Sequence, residues 1–290
     1  MTKDKKYSRR KQQVKRQVLI ITGLAVLLVA ISVTYILKSS AGEQETSGAV
    51  VEAEGSKGAL QDAGSAILEE TPQERLARVK ETALERGYPA GVVELLDKNQ
   101  ETVEFVENYE VKKDTVPAQT IGGDLVKGQI PELIQWDEHW GYASYGTSIV
   151  AVSGCGPTCL AMVASGLTGN ASITPASVAS YGTENGYVDE ENNTYWKLMS
   201  EGCEAWGITC YEGVIDEAAI TSELQAGHPI ICSVGPGDFT DKGHFIVLAG
   251  YQDGKIKVND PFSVTNTQKL WEFERLGPQI KALWIYSLKN

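Results

Sequence analysis

From Ile130 onward the sequence predicts an α+β domain with its helix and its sheet segregated along the chain. Aromatic-rich loops open this region. One strongly apolar helix follows, from about Gly156 to Ser165, carrying Leu160, Met162 and Val163. Apolar runs punctuated by turn residues then read as strands at Pro229 to Val234, His244 to Tyr251, Lys255 to Asp260 and Ile280 to Ser287. No internal repeat occurs at a solenoid period.

The 290-residue chain carries a formal net charge of -12, but that mean conceals two electrostatic objects. Residues 1–37 carry +7, and residues 38–290 carry -19. An acidic body argues against nucleic-acid binding, since phosphates require a basic surface. The basic end has another use. Val18 to Leu37 is a run of twenty uncharged residues. As a helix at about 1.5 Å per residue it reaches roughly 30 Å, the thickness of a bilayer core. The eight Lys/Arg before it place the tail 1–17 in the cytoplasm, the span 18–37 in the lipid bilayer and the acidic body outside. The expected location is therefore the cell membrane, single-pass, with the body extracellular. The competing reading is a cleaved export signal, with Ser39-Ser40-Ala41 as its small-residue site and a secreted product. No cysteine precedes Cys155, so a lipid attached to a cysteine near the span is excluded.

Residues 38–70, rich in Gly, Ala, Ser and Glu, read as a flexible spacer. A small helical unit is expected over 71–112. Thr71-Pro72-Gln73-Glu74 is a capping box with proline at the first helical position, and Leu76, Val79 and Ala83, with Leu84 a further candidate, follow on one face until Gly87. A second helix is expected from Ala90 to Asp97 and a third from Glu101 to Tyr109, the unit forming a structural appendage packed on the main domain. Residues 113–129 read as a connector, and 130–290 as the main domain.

The chemistry concentrates in a few residues. Ser153-Gly154-Cys155-Gly156-Pro157-Thr158-Cys159 places a cysteine where a glycine-flanked loop enters a helix. Free N–H groups and the positive helix end stabilise a thiolate there, lowering a thiol pKa from about 8.5 into the range of about 3.5–7.5. Pro157 belongs to the first turn, so Cys159 lies a turn deeper and Cys155 is the better nucleophile. Of the three histidines, His244 opens an apolar strand, and the next strand ends in Asn259-Asp260-Pro261. A three-residue Gln252-Asp253-Gly254 loop, with Gly254 left-handed, pairs Tyr251 with Lys255 and Ile246 with Asp260. His244 and Asp260 then share a face as diagonal neighbours, whereas a tight Asp253-Gly254 turn without a bulge separates them. Upstream, the Gln135 amide is suited to donate to an oxyanion beside the Cys155 N–H.

Gln135, Ser153-Gly154-Cys155-Gly156-Pro157-Thr158 through Leu160-Ala161-Met162, Gly243-His244-Phe245-Ile246-Val247 and Asn259-Asp260-Pro261 resemble the papain-like cysteine peptidases. More closely, they are similar to the bacterial group related to the double-glycine leader peptidases that process bacteriocins. The resemblance covers about Ile130 to Tyr286. It implies the papain-like fold, Cys155 as nucleophile, His244 as base, Asp260 as orienter and Gln135 as oxyanion donor, with no cofactor and no metal. Residues 71–109 also resemble a segment that precedes this domain in membrane-attached proteins of Gram-positive bacteria. Two departures stand out. Leader peptidases are fused to a transporter, and this sequence has one span and no nucleotide-binding motif, so leader cleavage during export is not implied. Cys159 falls where related sequences often carry a small residue.

Other signals are weaker. Cys159, Cys203, Cys210 and Cys232 leave room for up to two disulfides with no pairing chosen. A zinc site from Cys155, Cys159 and His244 lacks a second ligand pair, and Asp189-Glu190-Glu191-Asn192-Asn193 lacks the pattern of a calcium loop. His228 reads as structural, His139 as a cleft or loop residue, and Trp196 as a groove wall or core residue. The expected function is a membrane-anchored, extracytoplasmic cysteine peptidase acting on a peptide or protein. The alternatives are an amidase or acyl transferase working on cell-wall peptides, and a catalytically silent surface binding module.

Overall fold

The computed structural model describes residues 70–289. The basic tail, the apolar span and all but the last residue of the spacer lie outside the described residues, as do the expectations attached to them. Among the described residues, no helix is long and apolar enough to cross a membrane.

The capping box forms in full. The Thr71 hydroxyl accepts from the Glu74 N–H at 3.3 Å, and the Glu74 carboxylate accepts from the Thr71 N–H at 2.8 Å. It opens α1 (Pro72–Glu85), where Val79 and Ala83 are buried but Leu84 is exposed and off the packed face, and Gly87 lies just past the end at φ +65°. Helix α2 (Ala90–Lys98) follows. The expected third helix is instead divided into a 3-10 turn (Gln100–Thr102), α3 (Val103–Glu107) and α4 (Tyr109–Lys112). Asn99 ends α2 and starts the 3-10 turn, because its backbone is extended and its side chain accepts from the Glu101 N–H at 2.9 Å. Val79, Ala83, Val92, Leu95, Leu96, Phe105 and Val106 are buried together with Tyr142 and Ala151. The Phe105 ring stacks on Tyr142 at 4.1 Å, so the small unit is packed on the segment leading to Cys155.

A short hairpin, β1 (Ser144–Tyr145) and β2 (Ser148–Ile149), leads through α5 (Val150–Ser153) into α6 (Cys155–Thr168). Residues Gly156 to Ser165 of α6 are all buried, which makes it the central helix. Helix α7 (Pro175–Glu184) packs on it. This element escapes periodicity because its buried residues, Pro175, Val178, Ala179 and Gly182, are small and interleaved with Ser and Tyr. The short α8 (Lys197–Ser200) precedes β3 (Ile208–Glu212), and α9 (Glu217–Gln225) precedes β4 (Ile230–Val234). The remaining elements are β5 (His244–Gln252), β6 (Lys255–Asn259), α10 (Val264–Thr267), β7 (Leu270–Trp271), α11 (Phe273–Leu276) and β8 (Ile280–Leu288).

Six strands form one antiparallel sheet in the order β3-β8-β4-β5-β6-β7. Side-chain alternation gives it two apolar faces. Ile231, Phe245, Val247, Trp284 and Tyr286 pack with α6, while Ile230, Cys232, Ile246, Leu248 and Ile285 pack with Ile220 and Leu224 of α9. Helices therefore cover both faces, where the sequence had suggested a segregated helix. Helix α9 is short, and its two buried residues, Ile220 and Leu224, are too few to announce it.

The hairpin between β5 and β6 corrects the expected loop. Gln252 pairs directly with Lys255, so the turn is the tight Asp253-Gly254 type, both residues having positive φ. The strand then slips by one residue between Leu248 and Gly250, and Val247 pairs with Asn259. The bulge at Ala249 restores the register that a three-residue loop would have given. One more step places Ile246 opposite Asp260, with His244 its diagonal neighbour.

No disulfide is present among the described residues. Cys159 and Cys232 lie in cores on opposite faces of the sheet, whereas the Cys203 and Cys210 sulfurs are 3.8 Å apart.

Candidate active site

Cys155 is the first residue of α6 and is half-buried. The helix start is not wholly free: α5 runs into it, with the Gly154 N–H donating to the Val150 carbonyl at 2.7 Å. Gly156 is required by close approach. A Cβ there would lie 2.7 Å from Thr194 Cγ2 and 2.8 Å from its Oγ1, and that hydroxyl bonds the Tyr145 phenol at 2.8 Å. Gly156→Ala should therefore cost about 1–3 kcal/mol of stability by overpacking. It should also slow alkylation of Cys155, a pair of changes that thermal melting and timed labelling together check.

His244 and Asp260 are both buried, 9% and 2% exposed, and His244 Nε2 lies 2.8 Å from Asp260 Oδ1. That bond leaves Nδ1 as the ring nitrogen available to the Cys155 thiol. Asp260 is fixed further. Its Oδ1 accepts from the Phe262 N–H at 2.9 Å, its Oδ2 from the Asn266 amide at 2.9 Å, and its own N–H donates to Thr267 Oγ1 at 2.9 Å.

The electrostatics follow from these contacts. Burial alone would raise the Cys155 thiol, but the hydrogen bond and charge of His244, with the Phe245 and Gly156 N–H groups, outweigh it and hold its pKa below the ordinary thiol value. Burial alone would lower His244, yet the Asp260 carboxylate and the Cys155 sulfur push its pKa up to about 10. Burial of Asp260 is likewise outweighed by the imidazolium and by the Asn266 and Phe262 donors, so its pKa falls. The directions of these shifts favour thiolate at Cys155, imidazolium at His244 and carboxylate at Asp260. Cys159 is the opposite case, since burial, then the neighbouring Cys155, drives its thiol well above the usual range.

Gln135 is buried at 2% exposure and ties the two halves of the site together. Its N–H donates to the Pro261 carbonyl at 2.7 Å, next to Asp260. Its side-chain Nε2 donates one hydrogen to the Ala151 carbonyl at 2.8 Å, in the turn before Cys155, and Oε1 has no partner. The second Nε2 hydrogen is left for another acceptor.

The other flagged residues are accounted for locally. His139 Nδ1 bonds Asp137 at 2.7 Å at an exposed turn, and His228 Nδ1 bonds Glu223 at 2.7 Å between α9 and β4. Trp196 is 49% exposed and stands edge-on to Trp284 with ring centres 5.6 Å apart. The Asp189 carboxylate accepts from the Asn193 N–H at 2.7 Å, closing a turn. Among the described residues, no three His, Cys, Asp or Glu side chains cluster as metal ligands. Asn266 and Thr267 escaped the sequence reading, although Ser263 capping the Asn266 N–H at 3.2 Å is the kind of signal that marks a turn after Asp260-Pro261.

The family model described as Peptidase_C39 like family matches residues 128–287. The crystal structure of the peptidase domain of Streptococcus ComA, a bi-functional ABC transporter involved in quorum sensing, is 21% identical. That match covers 48% of this chain and 93% of that one, with a TM-score of 0.37. A structure described as a C39-like peptidase from Bacillus anthracis is 13% identical over 57% of this chain and 98% of that one, with a TM-score of 0.34. No curated protein matches the sequence.

Proposed function

The chain belongs to the Peptidase_C39 like family, and from that premise we propose that it is a membrane-anchored, extracytoplasmic cysteine peptidase. The observation that carries the reading is the buried His244–Asp260 pair at 2.8 Å set beside a thiol held below its ordinary pKa. The Cys155 thiolate attacks the carbonyl carbon of a peptide bond. Negative charge that develops on the carbonyl oxygen is met by the Cys155 N–H and the second Nε2 hydrogen of Gln135. His244 passes its Nδ1 proton to the leaving amine as the C–N bond breaks, which leaves a thioester on Cys155. Neutral His244 then takes a proton from water as the water attacks the thioester, releasing the acid and restoring the thiolate–imidazolium pair. Asp260 holds Nε2–H throughout and sets the ring's orientation.

The membrane anchorage is supported by the uncharged run from Val18 to Leu37 and the +7 tail before it. A peptide or protein substrate follows from the family. The experiment is a comparison of purified body, with and without Cys155, on peptide libraries and on cell-wall peptide fragments. Cys155-dependent release of new amino termini from peptides is expected. Cys155-dependent cleavage or acyl transfer confined to wall fragments would replace this reading with the amidase or transferase. Absence of both would leave a silent binding module.

A further inference from the structure

Asp260 lies one residue beyond the end of β6, so no ladder bond of that strand holds its carboxylate in place. What fixes it is the loop that follows, and that loop is gripped by the small helical unit. The Glu101 carboxylate accepts from the N–H groups of Val264 and Thr265, each at 2.9 Å, and from the Thr265 hydroxyl. Val264 and Thr265 open α10, the turn whose Asn266 and Thr267 bond Asp260. Beside it, the Asn99 amide donates to the Phe262 carbonyl at 2.7 Å and to Glu101 at 3.1 Å. The Phe262 ring packs against the core of the helical unit, with its centre 6.4 Å from that of His244. The matched family segment begins at residue 128, so neither Glu101 nor Asn99 belongs to it.

We infer that Glu101 is a positioning residue for the reaction, acting through α10 to hold Asp260 against His244, with Asn99 as its partner on the same loop. This rests on the catalytic reading above. The physical reason is the closed path of bonds: Glu101 to the α10 backbone, Asn266 and Thr267 to Asp260, and Asp260 to the imidazole. Carboxylate acceptors make the stronger class of such bonds, and here one carboxylate satisfies three donors of a turn too short to order itself. The Gln135 N–H to Pro261 and the Trp136 Nε1 to Phe262, at 2.8 Å, brace the loop from the other side. Loss of Glu101 therefore loosens Asp260 without releasing the whole segment. The helical unit is then part of the catalytic apparatus and not an appendage.

The test is the pH dependence of Cys155 alkylation by iodoacetamide in the full chain, for wild type, Glu101→Ala, Glu101→Gln and Glu107→Ala. Glu107 is the control because it braces the same helical unit, bonding Arg75 and Arg78, and touches no part of the Asp260 loop. With Asp260 loosened, the imidazolium is less favoured and the thiol pKa climbs. Glu101→Ala should move the acid limb up by about one pH unit, a rate loss of roughly tenfold near pH 6. Glu101→Gln, which keeps the volume and one acceptor oxygen, should shift it in the same direction by less, and it carries the test if the alanine variant fails to fold. Glu107→Ala should lower the melting temperature and leave the profile in place. Wild-type profiles in both Glu101 variants, or an equal shift in Glu107→Ala, would overturn the inference. If wild type shows no Cys155-dependent alkylation, the catalytic reading itself falls, a result distinct from the other two.

Discussion

Cys155→Ala is expected to abolish peptide turnover, by a factor on the order of 10^4 or more, while Cys159→Ala keeps most of it. The two sulfurs are four residues apart on one helix and differ in everything that matters to nucleophilicity. Cys155 retains contact with solvent, has His244 beside it and receives N–H groups from Phe245 and Gly156. Cys159 is fully buried among Leu160, Met162 and the α6-facing residues of the sheet, and its thiol is driven upward. A thiolate at Cys159 would have no cation to pair with and no path for a carbonyl to reach it. Cys159→Ala removes only a small buried side chain, and its cost belongs to stability. Steady-state kinetics on a common peptide substrate separate the two variants.

The second large effect is expected at Asp260. Asp260→Ala should lower kcat/KM by a factor on the order of 10^2 to 10^4, because the imidazole loses both its orientation and its counter-charge. Asp260→Asn separates these roles through the pH profile. In the wild type the thiolate–imidazolium pair forms as pH rises above the depressed Cys155 pKa, and is lost as pH rises through the His244 pKa of about 10. Activity is therefore highest between those limits. Without the carboxylate charge the His244 pKa should drop by roughly 1–3 pH units, and the thiol pKa should rise. Both limbs move inward. A profile of unchanged width in Asp260→Asn would show that the charge of Asp260 contributes nothing to the pair.

Much of this site was legible because its residues sit at the boundaries of strongly patterned elements. Cys155 announces itself by the glycines and proline around a helix start, and His244 by heading a run of apolar residues. The register of His244 and Asp260 was legible only in its outcome. The Asp253-Gly254 turn is tight, and a bulge at Ala249 supplies the compensating residue, its only sign in the sequence being Gly250 inside the strand. Helix α7 was legible only at its start, where Thr174-Pro175 repeats the Thr71-Pro72 signal, since small residues suffice where two helices approach closely and such a pattern has no apolar period. The expected helix over 101–109 is divided at Thr102 and again at Asn108, where ψ near 0° interrupts the helical backbone. The role of Glu101 was the least legible of all. Its partners, Val264 and Thr265, are more than 160 residues away and contribute mainly backbone groups, which no residue pattern advertises.

Whether Cys155 is a thiolate held by His244 is tested most directly by labelling at mildly acidic pH. Ordinary thiols, with a pKa of about 8.5, are protonated and slow under those conditions. The purified body should take up one equivalent of a thiol-directed electrophile, mapped by peptide mass to Cys155, with Cys159→Ala labelling like wild type and Cys155→Ala not labelling. Labelling that survives in Cys155→Ala and disappears in Cys159→Ala would contradict it.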